Sequence, residues 1–527
     1  MQVDRQNGRG LIAKNSIINL LGQILPMLAS VLTIPYVIKG IGTDGYGILS
    51  IAFLVLGYFS IFDLGLSRAT VKFVAEHLSP DKIHKVPGLV WTSLTLLVGL
   101  GCVFGTIGAI FVPFMMTRFF KMPASFIGDA RLSILILCLA MPIMLGTDAL
   151  RGVLEAAQRF DLVNFVKVPA SVMFSLSCAL AVALGIGVPG IVSMLVVIRL
   201  TTLVLYLFMC FRVIPGLKGN FQFSREALKP LTIFGGWIMV SNVTGPIFAY
   251  LERFMIASLL SVSMLTFYSV PFDLVGKILI FPMSIIPSLF PYFSYHGTKG
   301  RNEVSEVTSR VGKYMLLILT PVVAVFFCFA RQILQLWLGS EFANQSTVVL
   351  QLVTVLFFIN AFAMLPYTSV QALGRPDLKA ILDLVVLPIY AVCAWLLMRR
   401  TGVNGAALAK LIVTIVDFTA LYIIASKLKA FSVRDWSSGH LLRAFASSAA
   451  LFLAVGIIAH LPVSIPVAIA LLFVTFLAYA VAFWILAVDE EDRAVIRGLW
   501  AQRFSIIGRK PMPPVVPVLE SDPEVQS

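Results

Sequence analysis

The sequence predicts an all-α, polytopic membrane protein with about fourteen transmembrane helices, and three observations predict it. Of 527 residues, 59% are hydrophobic and only 13% are charged, against about a quarter charged in ordinary soluble domains. Apolar runs of about 20 residues or more recur from end to end, each long enough to cross a hydrocarbon core of about 30 Å. The breaks between them are short Gly, Pro, Asn and Asp clusters such as "GIGTDG", "GIGVPG", "GRPD", "RRTGVNG" and "HLPVSIP", which end helices and start turns. No soluble domain fits in any of them.

Taken in order, the spans are expected at 13–39, 44–74, 86–117, 130–155, 160–185, 188–213, 229–259, 263–295, 304–330, 346–371, 376–398, 402–428, 439–460 and 463–488. The first follows a short polar start, "MQVDRQNGRG", with no cleavage-site pattern after it, so it reads as a retained helix and not a signal peptide. It carries Gly22, Pro26 and Pro35. These weaken or remove backbone hydrogen bonds, so they are hinge candidates. The second span contains "YFSIFDLGLSRATVKFVAEHL" (Tyr58–Leu78), which begins as if buried in lipid and then gains Asp63, Arg68, Lys72 and Glu76 with no proline. One unbroken, rigid helix is expected there. The six cysteines lie far apart inside apolar segments, so no disulfide framework, metal site or cofactor is expected. Past Val488, "DEEDRAVIRGLWAQRF" spaces its apolar residues for a helix on the membrane surface. The Pro-rich end is expected to be disordered.

Counting alternate ends of these helices places about 29 of the 40 Lys and Arg on one side. By the positive-inside rule both termini are then cytoplasmic, which requires an even helix number. The same bias accounts for the net charge of +14 as topology, and no nucleic-acid partner is expected.

An internal repeat organises the chain. "QRFDL" (Gln158–Leu162) matches "GRPDL" (Gly374–Leu378), and "GVPG" (Gly187–Gly190) matches "GVNG" (Gly402–Gly405), both at an offset of about 215 residues. Six helices lie between the copies. An even number leaves both halves with the same orientation, related by an axis along the membrane normal. The expected units are 1–220 and 221–430, two six-helix lobes, then 431–488, two added helices, then 489–527, the surface helix and tail. Two lobes facing a central cleft make the anatomy of a transporter.

The stretch Asn15–Leu78, through Asn15, Pro35, the "GYG" of Gly45–Gly47 and the "DLGLSRA" of Asp63–Ala69, resembles the polysaccharide transporter branch of the multidrug/oligosaccharidyl-lipid/polysaccharide flippase superfamily. The resemblance implies a V-shaped fold in a bacterial inner membrane. It implies that a polyprenyl-pyrophosphate-linked oligosaccharide moves from the cytoplasmic to the outer leaflet, for O-antigen, capsule or exopolysaccharide. It also implies membrane lipid as surroundings and a polysaccharide polymerase and chain-length protein as partners; the flippase itself is expected to be a monomer.

Charges at depth are the candidate site. An anionic sugar-bearing headgroup needs a wet, cationic path, and arginine suits phosphate through its two-pronged fork. Arg199 lies about 16 Å into its helix, where an unpaired charge costs at least about 2.5–3.5 kcal/mol. It is read either as a substrate contact or as a cross-helix ion pair. Arg68 and Lys72 share a face one turn apart and serve as a cytoplasmic anchor, a docking point for pyrophosphate, or both. Arg253 is a further substrate candidate, with interfacial snorkelling as the plain alternative. Asp273 and Lys277, four apart with the acid first, are expected to neutralise each other. Lys410 and Asp417 share a face two turns apart. Lys277 and Lys410 are the structural pair candidates, and Asp273, Asp417 and Glu252 the ion-coupling candidates. Asp383 is an interface residue.

Two rival functions stay open. A cation-coupled multidrug or metabolite efflux antiporter often carries a carboxylate in its first helix, and residues 15–38 hold none. A membrane-embedded glycosyltransferase or polymerase needs a sizeable outer loop, and the longest outer connection is expected only from about Thr117 to Ala130. With no metal or nucleophile constellation in the sequence, an enzyme is not expected.

Overall fold

The computed structural model describes residues 2–78, 81–219, 221–296, 301–428, 439–489 and 493, with the backbone alone described over 2–21, 233–244, 294–296, 301–306 and 439–441 and at 60, 117, 215, 287, 288 and 291. Among the described residues the chain is helical, with no strand. The helices are α1 (Gln2–Phe59), α2 (Leu66–His77), α3 (Val86–Arg118), α4 (Ile127–Ala156), α5 (Phe160–Ala183), α6 (Val188–Val213), α7 (Arg225–Leu259) and α8 (Val262–Gly276). They continue with α9 (Ile280–His296), α10 (Arg301–Cys328), α11 (Ala330–Leu338), α12 (Ser340–Ala372), α13 (Pro376–Thr401), α14 (Val403–Lys427), α15 (Gly439–His460) and α16 (Ile465–Leu486). The surface helix and tail expected past residue 489 lie almost wholly outside the described residues.

Among the described residues, twelve stretches are long and apolar enough to cross a membrane. One of them, Gly22–Asp63, has 42 residues and turns at Gly42 (φ 73°, ψ 172°), so it holds two crossings. α7, at 35 residues, is long enough for another. About fourteen crossings fit this chain, which is a multi-pass membrane protein. Serine caps set two of the starts: Ser224 accepts from the Ala227 amide at 3.3 Å and Ser261 from the Met264 amide at 3.1 Å, each satisfying an otherwise orphaned donor.

The second span is not one helix. α1 ends in a 3₁₀ turn over Ser60–Asp63, and Leu64 (φ 50°) and Gly65 (φ 75°) turn left-handed before α2 begins. Gly65 reaches that region without steric cost, and the Asp63 carboxylate accepts from both the amide and hydroxyl of Ser67, each at 2.9 Å. A carboxylate bonded to the first turn stabilises a new helix start. Arg68 and Lys72 thus ride on a separate, short helix. The span expected at 263–295 is likewise split, by a 3₁₀ turn at Lys277–Leu279 between α8 and α9.

Packing repeats along the chain. α4 packs on α6 and α5 on α6; later α12 packs on α14 and α13 on α14. α1 lies along α5 as α7 lies along α13. α15 packs on α10 and α16 on α15. The two repeated loops share one geometry. Gln158 (φ 57°) and Gly374 (φ 75°) turn left-handed. The next arginine in each then forks onto an aspartate two residues on: Arg159 to Asp161 with both bonds at 2.9 Å, Arg375 to Asp377 at 3.0 Å.

The two sets of helices meet along α1, α7 and α8. Near the Gly42 end, the Thr266 hydroxyl donates to the Thr43 carbonyl at 2.7 Å and Ser263 bonds Asp44. A Cβ on Gly47 would sit 2.1 Å from the Val262 carbonyl oxygen, so glycine is what lets α1 and α8 touch here.

Candidate functional site

α7 carries adjacent charges into the protein core. Glu252 is 0% exposed and Arg253 6%, so neither snorkels to an interface. Adjacent helical positions point about 100° apart, and the two side chains serve separate clusters.

Glu252 is enclosed by donors from three other helices. Tyr268 of α8 and Tyr390 of α13 donate their hydroxyls at 3.3 and 2.7 Å, and the Lys410 ammonium of α14 lies 3.1 Å away. Lys410 also donates to the Phe248 carbonyl and sits 5.0 Å from the Tyr390 ring centre, a cation–π distance. A buried carboxylate is tolerable only when paired and hydrogen-bonded in this way. Lys410 is thus paired across helices with Glu252.

Arg253 turns the other way. Its Nη2 donates to Asp273 Oδ1 at 2.6 Å, and its guanidinium lies 4.8 Å from the Phe272 ring centre. The two ends of the pair differ in exposure: 8% for the arginine side chain and 43% for the aspartate. The Arg253 Nε is buried with no hydrogen-bond partner. α7 and α8, which carry the pair, both pack against α1. The pair therefore sits where the two sets of helices meet, with one edge open.

The expected Asp273–Lys277 pair does not form. The helix tightens to 3₁₀ at Lys277, which spoils the i,i+4 register. Lys277 is exposed and makes no ion pair among the described residues. Asp417 instead shares Lys379 with Asp383, at 2.8 and 2.6 Å, which pins α13 to α14.

Arg199 occupies a telling position on α6. Val188, Val192, Leu195, Thr202 and Tyr206 form a buried stripe at the spacing of one helix face, and Arg199 falls in that stripe yet is exposed. It makes no ion pair among the described residues, so its charge is left open to its surroundings. On α2, Arg68 and Lys72 are both exposed, and Lys72 lies 3.9 Å from Glu76. Gly22 approaches α5, where an added Cβ would meet Val168 at 2.9 Å. α1 stays helical through Pro26 and Pro35, and its non-helical residue is Gly42.

Sequence reasoning passed over Tyr268, Tyr390 and Lys379. Lys379 was readable, four residues before Asp383. The tyrosines carried no linear signal, because their partner is on another helix.

No group of three or more His, Cys, Asp or Glu side chains among the described residues could hold a metal ion. The arrangement offers one buried cation paired at a helix contact and others exposed on crossing helices, and that fits a membrane transporter in form. Residues 12–296 match the model of the polysaccharide biosynthesis protein family, and the chain belongs to that family. It is 27% identical over 416 residues to a Shigella flexneri protein named "Putative O-antigen transporter", covering 77% of this chain and 96% of that one. In fold it is similar to the lipid II flippase MurJ in an inward closed conformation, with TM-score 0.69 and 15% identity over 90% of this chain and 99% of that chain. It is also similar to a multidrug resistance MATE family transporter in an inward-facing conformation, with TM-score 0.66 and 16% identity over 77% and 95%.

Proposed function

We propose that this protein is an alternating-access flippase that carries a polyprenyl-pyrophosphate-linked oligosaccharide across a bacterial inner membrane for surface polysaccharide synthesis. The observation that carries the reading is the Arg253–Asp273 pair, 2.6 Å apart between α7 and α8, the two helices that pack on α1, with its aspartate edge open. A pyrophosphate is the ligand that can take the place of that carboxylate on the guanidinium, since both accept a forked pair of hydrogen bonds. Membership of a polysaccharide biosynthesis family and likeness to a lipid II flippase support the same substrate class.

In this reading 1–220 and 221–430 are the two lobes and both termini face the cytoplasm. The Gly42 end, where α1 and α8 touch, then faces outward. Arg68 and Lys72 meet the headgroup at the cytoplasmic edge, Arg199 offers charge at mid-depth, and Arg253 holds the pyrophosphate at the seam. The lipid tail stays in the bilayer while the sugars pass between the lobes.

The efflux reading draws on the transporter-like fold. Against it stands Glu252: a carboxylate already holding two hydroxyls and an ammonium has little capacity left for an exchangeable cation. The test is reconstitution in vesicles with a fluorescent lipid-linked oligosaccharide in one leaflet. Protein-dependent appearance of the label in the other leaflet is the expected result. Sodium- or proton-driven release of a soluble dye with no lipid movement would overturn the proposal.

A further inference from the structure

Pro35 has no amide hydrogen, so the Val31 carbonyl, one helical turn earlier in α1, loses its intrahelical donor. Trp337 fills that vacancy. It stands on α11, 306 residues further along the chain, and its indole Nε1 donates to the Val31 oxygen at 3.0 Å. α11 is the short helix between α10 and α12, so this is a bond from the second set of helices to the first.

A second bond set runs the opposite way at the same end of the molecule. The segment after α3 is stitched to the α7–α8 turn. The Lys121 amide donates to the Ala257 carbonyl at 3.1 Å, the Lys121 carbonyl accepts from the Val262 amide at 3.1 Å, and its ammonium donates to the Leu259 carbonyl at 2.8 Å. That carbonyl ends α7, where a positive group is favoured. Lys121 and the neighbour of Trp337, Leu336, stand at the same offset of about 215 residues that relates the two loop pairs. Each set of helices thus uses the segment after its third long helix to hold the first helical hairpin of the other.

We propose that these contacts form a reciprocal clasp that keeps the Gly42 end shut, and that Trp337 on the Val31 carbonyl is its releasable half. Pro35 then serves less as a bend than as the means of leaving a carbonyl open to the opposite lobe. The Lys121 half has three bonds, two of them main-chain, and anchors the seam. The Trp337 half has one side-chain bond and can exchange it for water or a lipid headgroup, as tryptophans at membrane interfaces do. The proposal rests on the flippase reading only for the direction in which opening serves transport.

The test needs no substrate. Spin labels at Lys39 and Gln335, exposed positions on α1 and α11, report the separation across the clasp in lipid nanodiscs, with the six native cysteines replaced. Trp337→Phe keeps the ring and removes the donor, and Pro35→Ala gives Val31 its own donor. Each is expected to raise the ratio of long to short distances roughly two- to tenfold, the span set by one net hydrogen bond. Trp337→Phe combined with Pro35→Ala should go no further than either alone. Leu336→Ala, on an exposed neighbour, should change nothing. Variants are compared only where gel filtration and thermal unfolding match the parent, and a variant that fails that control is replaced by Trp337→Tyr or Pro35→Ser, with the same expected shift. Unchanged distributions in either single variant, or additive shifts in the double, overturn the clasp. Vesicle flipping of the lipid-linked label can succeed or fail independently of that outcome.

Discussion

The Lys410 ammonium lies 3.1 Å from the Glu252 carboxylate, a group with none of its surface exposed. Removing one member leaves the other charged in a low-dielectric core, which costs about 3–5 kcal/mol. Glu252→Gln and Lys410→Met should each lower the unfolding free energy of the detergent-solubilised protein by about that amount. Glu252→Gln combined with Lys410→Met should lose less than the sum, because no charge is left alone. Additive losses in a denaturant titration would show that the two groups act separately.

At the seam, Arg253 and Asp273 make opposite predictions about binding. Arg253→Ala removes the proposed phosphate contact and should cut the flipping rate at least about tenfold, the worth of one charged hydrogen bond, with Arg253→Lys between it and the parent. Asp273→Asn removes the competing anion, so the half-saturating concentration of lipid-linked oligosaccharide should fall. Turnover should fall with it, because the headgroup is released more slowly. A rise in half-saturation for Asp273→Asn would indicate that the carboxylate helps to hold the substrate.

The two repeated loops give a stability test with a worked-out sign. Gln158 and Gly374 hold the same left-handed turn, φ 57° and 75°, and a side chain there costs about 1–2 kcal/mol relative to the right-handed region. Gln158→Gly should relieve that strain, offset in part by the extra freedom of an unfolded glycine, for a net gain of at most about 1 kcal/mol. Gly374→Ala should cost about 1–2 kcal/mol. Thermal unfolding of the two variants should shift in opposite directions; equal shifts would mean that the loops do not share a conformation in the protein.

These loops also show what the sequence made legible. A turn is a local event, so "QRFDL" and "GRPDL" marked it as a repeat, whereas the arginine–aspartate fork two residues apart went unread. The helices themselves were equally plain, because crossing a bilayer demands long apolar runs. Two features misled. The absence of proline hid the break at Leu64–Gly65, which depends on glycine's left-handed freedom and on Asp63 bonding the next helix. The four-residue spacing of Asp273 and Lys277 promised a pair that a 3₁₀ turn forbids. Glu252's partners were out of reach altogether: one is 16 residues away on α8, the others 138 and 158 residues away on α13 and α14. Spacing within a helix carries no information about which neighbour the fold will supply. Arg199 lies between these cases, since its place in the Val188–Tyr206 stripe could be counted, but its exposure could not.

That exposure bears on energy. A pyrophosphate carries roughly two negative charges, and each charge moved outward through a potential of 100 mV releases about 2.3 kcal/mol, or about 4.6 kcal/mol for both. The cationic groups proposed to meet it, Arg68 on α2 and Arg199 on α6, make no ion pair among the described residues. They are therefore available to compensate the headgroup in transit. With the headgroup compensated, the loaded step moves little net charge and the gain falls on the empty return, in which positive charge moves inward, so the potential can reset the carrier. In vesicles with a labelled lipid-linked oligosaccharide, a potassium-diffusion potential, negative inside, should raise the rate of outward flipping. Arg199→Ala should lower the rate far more than Arg199→Lys, and Arg68→Ala should lower it chiefly at low substrate. A rate indifferent to potential but dependent on a sodium or proton gradient would defeat this mechanism. The half-exposed Asp273 and the Asp417–Lys379–Asp383 cluster would then be the carboxylates to test, ahead of Glu252, whose oxygens are already engaged.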